Sequence, residues 1–201
     1  YQPEISQGRL EMLMNFQQLI IDMTKMDVSN ASLLDEGTSA AEAMMLSFRH
    51  SVNKDKNNYL VYSSCHPQTI SVLKTRAKPL NINIVLINEL KEIDLNNSFG
   101  LLVQYPDTYG HLNDLESIIN ISHENNNLVS VATDLLSLAM LKPPGEMGAD
   151  IVFGTSQRFG TPLGFGGPHA AFFASREKYI RSMPGRIIGV TIDATGEKTY
   201  R

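Results

Sequence analysis

Tyr59-Leu60-Val61-Tyr62-Ser63, then Ser64-Cys65-His66-Pro67-Gln68 and onward to Ile87, is the stretch that decides the fold. Tyr59–Ser63 is a short apolar run closed by serines, the pattern of a buried strand. Pro67 suits the first turn of a helix, where its missing N–H is not needed, so a helix is expected from there to about Ala77. Ile82–Ile87 is apolar again and reads as the next strand. Strand, helix and strand in succession predict a crossover between parallel neighbours.

The alternation continues downstream. Gly100–Gln104 reads as a strand ended by Pro106, and Asn113–Asn125 as a helix with Leu115, Ile118, Ile119 and Ser122 on one face. Leu128–Thr133, Ile151–Phe153 and His169–Ala174 read as further strands, and Glu177–Met183 as a helix. Asn53–Asn58 and Asn96–Asn97 are polar connections. Upstream, Ser6 to about Met23 is a helix apolar on several faces, so it is expected to lie in the core or in a subunit interface. A second helix starts near Gly37-Thr38-Ser39, where Ser39 and Glu42 have the spacing of a capping box and Gly37 allows a tight turn. The fold class that follows is α/β, a mostly parallel mixed sheet with helices on both faces.

Composition narrows the function. The 201 residues suffice for one domain with a full core. Lys and Arg number 17 against 21 Asp and Glu, a net charge of −4, which argues against nucleic acid or an anionic membrane as partner. Hydrophobic residues make up 42%, which excludes a disordered chain. No apolar run approaches the roughly 20 residues of a membrane span. A single cysteine excludes an internal disulfide framework and a CxxC site, and fits a reducing compartment. The chain begins Tyr1-Gln2-Pro3-Glu4 and ends Lys198-Thr199-Tyr200-Arg201, which reads as a piece of a longer protein.

Ligands of such sheets collect beyond the carboxyl ends of the strands. The candidate loops are therefore 64–67, 105–110, 134–137 and 154–167. Gly37–Ser39 is either an anion site or an ordinary capped helix start. Cys65 and His66 point to opposite sides of an extended chain and cannot readily share a proton. His66 alone is either a ligand contact or a packed side chain. Asp134 is either a functional carboxylate or the cap of the segment after it. Gly160–Pro168 lacks the P-loop and GxGxxG spacings and is expected to serve packing or a sharp turn. His50, His111 and His123 fall on surfaces, and their spacing supports no metal site.

Several stretches together resemble one family. They are Tyr1 through Glu11, Asn30 through Thr38, Cys65-His66-Pro67-Gln68-Thr69, Gln104-Tyr105-Pro106-Asp107-Thr108, Pro143-Pro144-Gly145-Glu146, Gly154 through His169, and Met183-Pro184-Gly185-Arg186. The sequence is similar to glycine decarboxylase, the P-protein of the glycine cleavage system, over nearly its whole length. The resemblance implies an aspartate-aminotransferase-like, fold type I architecture. It implies that the chain is much of the large domain of the N-terminal of two homologous halves, without the small domain or the C-terminal half. In that family the lysine that binds pyridoxal phosphate belongs to the C-terminal half.

Carried over residue by residue, the resemblance implies a phosphate cup at Gly37 and Thr38, a ring-stacking His66, and Asp134 against the pyridine nitrogen. The Schiff-base position falls on Gln157 in Gly154-Thr155-Ser156-Gln157-Arg158. An amide has no nucleophilic amine, and a guanidinium stays protonated, so neither Gln157 nor Arg158 replaces a lysine. The implied pocket is vestigial, with no catalytic residue, no metal and no covalently held cofactor. The implied partners are the catalytic half or a second subunit, lipoylated H-protein and glycine. Bacterial cytoplasm and mitochondrial matrix both stay open, and the many Asn, Lys and Ile residues favour the former. The rival expectation is a free-standing PLP-fold protein or a binding module without that chemistry. An enzyme of that kind needs a lysine near Ile151–Phe153, and none lies between Lys142 and Lys178.

Overall fold

The computed structural model describes residues 2–52, 55–92 and 95–201. Asn53 and Lys54 of the expected connection, and Tyr1 of the first family motif, lie outside the described residues.

The described residues build a seven-stranded sheet in the order β1-β7-β6-β5-β4-β2-β3. Its strands are β1 (Val28–Ser29), β2 (Asn58–Tyr62), β3 (Asn83–Ile87), β4 (Ser98–Tyr105), β5 (Leu128–Thr133), β6 (Ile151–Thr155) and β7 (Ala171–Ser175). β3, β2, β4, β5 and β6 run parallel, as the strand–helix–strand pattern requires. β7 turns antiparallel to β6, and β1 is antiparallel to β7. The fold is the predicted mixed, mostly parallel α/β sheet. The helices are α1 (Gln7–Thr24), α2 (Glu36–His50), α3 (Pro67–Ala77) and α4 (Leu115–Glu124). A small separate hairpin pairs β8 (Val190–Ile192) with β9 (Lys198–Tyr200).

Every residue of β4 is buried, as expected for a central strand covered on both faces. Leu101, Val103, Val129, Val131, Val152 and Phe153 form the middle of the core. Gly154 is dictated by packing: a Cβ there would stand 2.1 Å from the Thr133 carbonyl oxygen of the neighbouring strand.

Three expectations need correction, those for the cap of α2, for Gly37 and for Glu177–Met183. The cap of α2 is Asp35, not Ser39. Asp35 is extended at φ −155°, ψ 172°, and its Oδ1 accepts the Thr38 N–H at 2.6 Å. Ser39 is already inside the helix, its hydroxyl donating to the Asp35 carbonyl, while Glu42 pairs with Arg76 of α3 at 3.1 Å. Gly37 makes no tight turn. It sits in the first turn of α2, where a Cβ would meet Val72 Cγ2 of α3 at 3.0 Å, so it serves a close helix approach. α1 is only half covered: Leu10 and Ile20 are buried, but Met12 is 61% and Leu19 40% exposed. Glu177–Ser182 winds as a 3₁₀ segment rather than an α-helix.

Candidate functional site

The chain reverses its direction of travel across the sheet between β2 and β4: β3 lies outside β2, whereas β4 and β5 lie on the other side. Such a switch point leaves a crevice at the strand ends. The parallel strands deliver His66, Asp107, Asp134 and Gln157 to this one edge, from the loops after β2, β4, β5 and β6. Because β7 is antiparallel, its start lies at the same edge, which adds His169.

These residues wall two adjoining hollows of about 330 Å³ and 430 Å³, which share Glu36, His66 and Thr155. Gln104, Asp107, Asp134, Gln157 and Arg158 belong to the first, and Gly37, Thr69 and His169 to the second. Four of the five residues expected to form a pocket are thus brought together. Thr38 is not among the wall residues, and its N–H is turned to the Asp35 cap.

Each polar group can be followed to its partners. His66 Nδ1 lies 2.9 Å from the Thr108 hydroxyl. Asp134 acts as a cap through Oδ1, which accepts the Leu136 N–H at 3.1 Å, and as an ion-pair partner through Oδ2, 2.9 Å from Arg158 Nη1. Gln157 spends its amide NH₂ on the Thr161 carbonyl at 2.7 Å, closing its own loop. Beyond that loop, Gly160 and Gly166 take φ of +104° and +84° with open space around them, so these glycines serve turns, not packing. Cys65 is buried, which pushes its thiol up to about 12, and it takes no part in the cleft.

Sequence reasoning missed Glu36 and Gln104. Glu36 is the first residue of α2, half-buried in the wall common to both hollows. Burial pushes its carboxyl above the ordinary range and Asp134 adds to that, against the opposing pull of His66, Thr69 and His169. Gln104 is 2% exposed, and its Oε1 has no hydrogen-bond partner among the described residues. The signal for Gln104 was present, a polar residue in an otherwise apolar strand. Asp107 is also buried. Its burial is outweighed by the His111 and Tyr109 backbone N–H groups, each 2.9 Å from Oδ1, and by the His111 ring, which together hold it below the usual carboxylate range. Among the described residues no group of three His, Cys, Asp or Glu is placed to hold a metal ion.

The architecture is that of fold type I pyridoxal-phosphate enzymes. A cystathionine gamma synthase from Xanthomonas oryzae superposes with a TM-score of 0.65 at 14% identity, over 86% of this chain and 44% of that one. That likeness is one of fold alone. A crystal structure of glycine decarboxylase (P-protein) of the glycine cleavage system, in inhibitor-bound form, superposes much more closely. Its TM-score is 0.92 at 33% identity, over 100% of this chain and 46% of that one. The family model described as Glycine cleavage system P-protein matches residues 1–201, so the chain belongs to that family.

Among curated relatives, the glycine dehydrogenases (decarboxylating) of Pelagibacter ubique and Sinorhizobium medicae are 57% and 55% identical over 201 residues. This chain is matched over its whole length and spans 21% of each of theirs. Among the described residues no helix is long and apolar enough to cross a membrane.

Proposed function

We propose that this chain is part of the non-catalytic, N-terminal half of a glycine dehydrogenase (decarboxylating), and that it serves assembly of the enzyme rather than its covalent chemistry. The observation that carries the reading is Gln157. It stands in the loop after β6, where the family resemblance sets the cofactor lysine, and its nitrogen is already given to Thr161.

The residues present do not fit covalently held pyridoxal phosphate. No lysine lies between Lys142 and Lys178. Glu36 brings a carboxyl group to the start of α2, where a phosphate would need bare N–H groups, and Asp35 takes the Thr38 N–H. Asp134 already has its charge paired with Arg158 at 2.9 Å. We therefore assign the cofactor, and with it the decarboxylation of glycine, to the rest of the protein. Transfer of the aminomethyl group to lipoyl H-protein belongs there as well. What this chain offers is surface. The exposed Met12 and Leu19 of α1, with Leu163 at 78% and Phe165 at 111% exposure in the glycine-rich loop, suit pairing with the lysine-bearing half.

The test is borohydride reduction of the full-length protein followed by peptide mapping. A pyridoxyl-lysine is expected only outside residues 1–201. An adduct on Lys142 or Lys178 overturns the assignment.

A further inference from the structure

We propose that the bare edge of the β8–β9 hairpin takes a third strand, supplied by a part of the same polypeptide that lies outside residues 1–201. A strand at this place goes beyond the reading above and does not rest on it.

The two edges of the hairpin are treated differently. Gly189 and Arg201 exchange both backbone hydrogen bonds, at 2.9 and 3.0 Å. The next facing pair, Val190 and Tyr200, therefore turns its N–H and C=O groups away from the hairpin, and so does the pair Ile192 and Lys198. On the β9 side a side chain of α1 takes the groups of Tyr200. Gln7 Oε1 accepts its N–H at 2.8 Å, and Gln7 Nε2 donates to its carbonyl at 3.0 Å. The primary amide of Gln7 stands where the peptide group of another strand would stand. On the β8 side no described residue bonds the outward N–H and C=O groups of Val190 and Ile192. Their side chains are open as well, Val190 at 49% and Ile192 at 71% exposure.

The bare edge is held in place. Gln17, also on α1, does for Ile188 what Gln7 does for Tyr200: it accepts the Ile188 N–H at 2.8 Å and donates to its carbonyl at 3.2 Å. Ile188 is buried with Leu10 and Ala31. Val190-Thr191-Ile192 consists of β-branched residues, which suit a pleated neighbour. It carries neither the charge nor the proline with which folded proteins blunt a free edge. Two strands of three residues are also marginal by themselves in water.

Backbone groups presented at alternate residues select a strand as the occupant, one with apolar side chains to cover Val190 and Ile192. The same polypeptide is the source. The chain spans 21% of the curated relatives and 46% of the solved P-protein chain, so more than half of each lies outside the matched part. A second copy pairing β8 with β8 would join strands of three residues, far short of the roughly 800 Å² per partner of a stable interface.

Hydrogen exchange of the full-length protein, read residue by residue, tests the pairing. The Thr191 N–H faces β9 and reports whether the hairpin is closed, while those of Val190 and Ile192 face the bare edge. All three are expected to exchange roughly a hundredfold or more slowly than in an unstructured peptide. Fast exchange at Val190 and Ile192 beside a slow Thr191 overturns the proposal, since the edge then has no strand on it in the whole protein. Fast exchange at all three overturns it too, because an open hairpin offers no edge. Ile192→Asp sets a charge against the added strand and should speed exchange at Val190 roughly tenfold with Thr191 still slow, whereas Ile192→Val should change neither. Unchanged exchange at Val190 in Ile192→Asp overturns the apolar pairing. The source of the strand is read with the photo-crosslinker p-benzoylphenylalanine in place of Ile192 in the full-length protein. A crosslink within one chain to a residue outside 1–201 is expected. A product of doubled mass, a crosslink confined to residues 1–201, or no crosslink overturns the assignment to the same polypeptide.

Discussion

Two carboxylates on opposite edges of one sheet have opposite fates. Asp150 lies just before β6, at the edge away from the cleft. Its Oδ2 accepts the Val129 N–H at 3.0 Å and contacts His123 Nε2 at 2.7 Å, while Oδ1 accepts the Tyr179 hydroxyl at 3.3 Å and lies 3.6 Å from Lys178 Nζ. Burial alone would raise this carboxyl. The His123 and Val129 hydrogen bonds, with the charges of His123 and Lys178, outweigh it and hold the group below the ordinary range. Glu36, at the cleft edge, is raised by burial and among the described residues keeps only the 3.4 Å contact from the Thr69 hydroxyl. The protein thus satisfies a carboxylate completely where it needs a fastening. It leaves one short of partners where the fold family keeps its ligands. A buried charge with a full set of donors marks structure, and one without them marks a place for something else.

Removing the fastening is expected to have the largest effect. In Asp150→Ala the exposed ends of His123 and Lys178 lose little, because their pairing is solvent-screened. The buried Val129 N–H and Tyr179 hydroxyl lose their acceptor, so the loss should be about 3 kcal/mol. Thermal unfolding of the full-length protein and its variant measures it. A change within error would place Asp150 in the same class as Glu36 and dissolve the contrast.

A smaller effect separates the two proposed caps of α2. Asp35→Ala removes the acceptor of the Thr38 N–H and should cost about 1 kcal/mol. Glu42→Ala loses only an exposed pair with Arg76 and should cost under about 0.5 kcal/mol. The reverse order in denaturant midpoints would restore the capping box read from Ser39 and Glu42.

That misplaced cap shows where the sequence stops being legible. Periodicity found every strand of the parallel run, and Pro67 marked the start of α3 to the residue. The loops after the strands were legible as a group because parallel strands send all their carboxyl ends to one edge. β1 and the β8–β9 hairpin escaped, being only two and three residues long, too short to show a period. Glu36 escaped because two capping patterns overlap between Asp35 and Glu42, and only the path of the chain decides between them. Leu33 pairs with Ala171, which delivers Asp35 in the extended conformation a cap requires. Gln104 was visible as a polar residue in a buried strand, but whether its oxygen finds a donor is a property of the folded neighbourhood.

The smallest effect tests the other half of the comparison. Glu36 has its carboxyl raised in the folded protein, so folding takes up a proton in the window that begins at its ordinary value of 4.5 and extends upward. The stability it contributes is fully present below that value and is lost as the pH rises through the raised one. Asp150 has the opposite sign: its contribution is present above the ordinary value of 3.8 and disappears as the pH falls through its lowered one. Glu36→Gln removes the first dependence, keeps the shape, and abolishes a charge that the cleft does not compensate. The variant should therefore be slightly more stable than the parent at neutral pH and equal to it at the acid end of the window. Its stability–pH curve should be flatter between the two and unchanged in the acid limb to which Asp150 and Asp107 contribute. Denaturant titrations at a series of pH values measure both limbs together. A variant less stable than the parent at neutral pH would mean that the Glu36 carboxylate already has its partners, and that the two edges of the sheet are built alike.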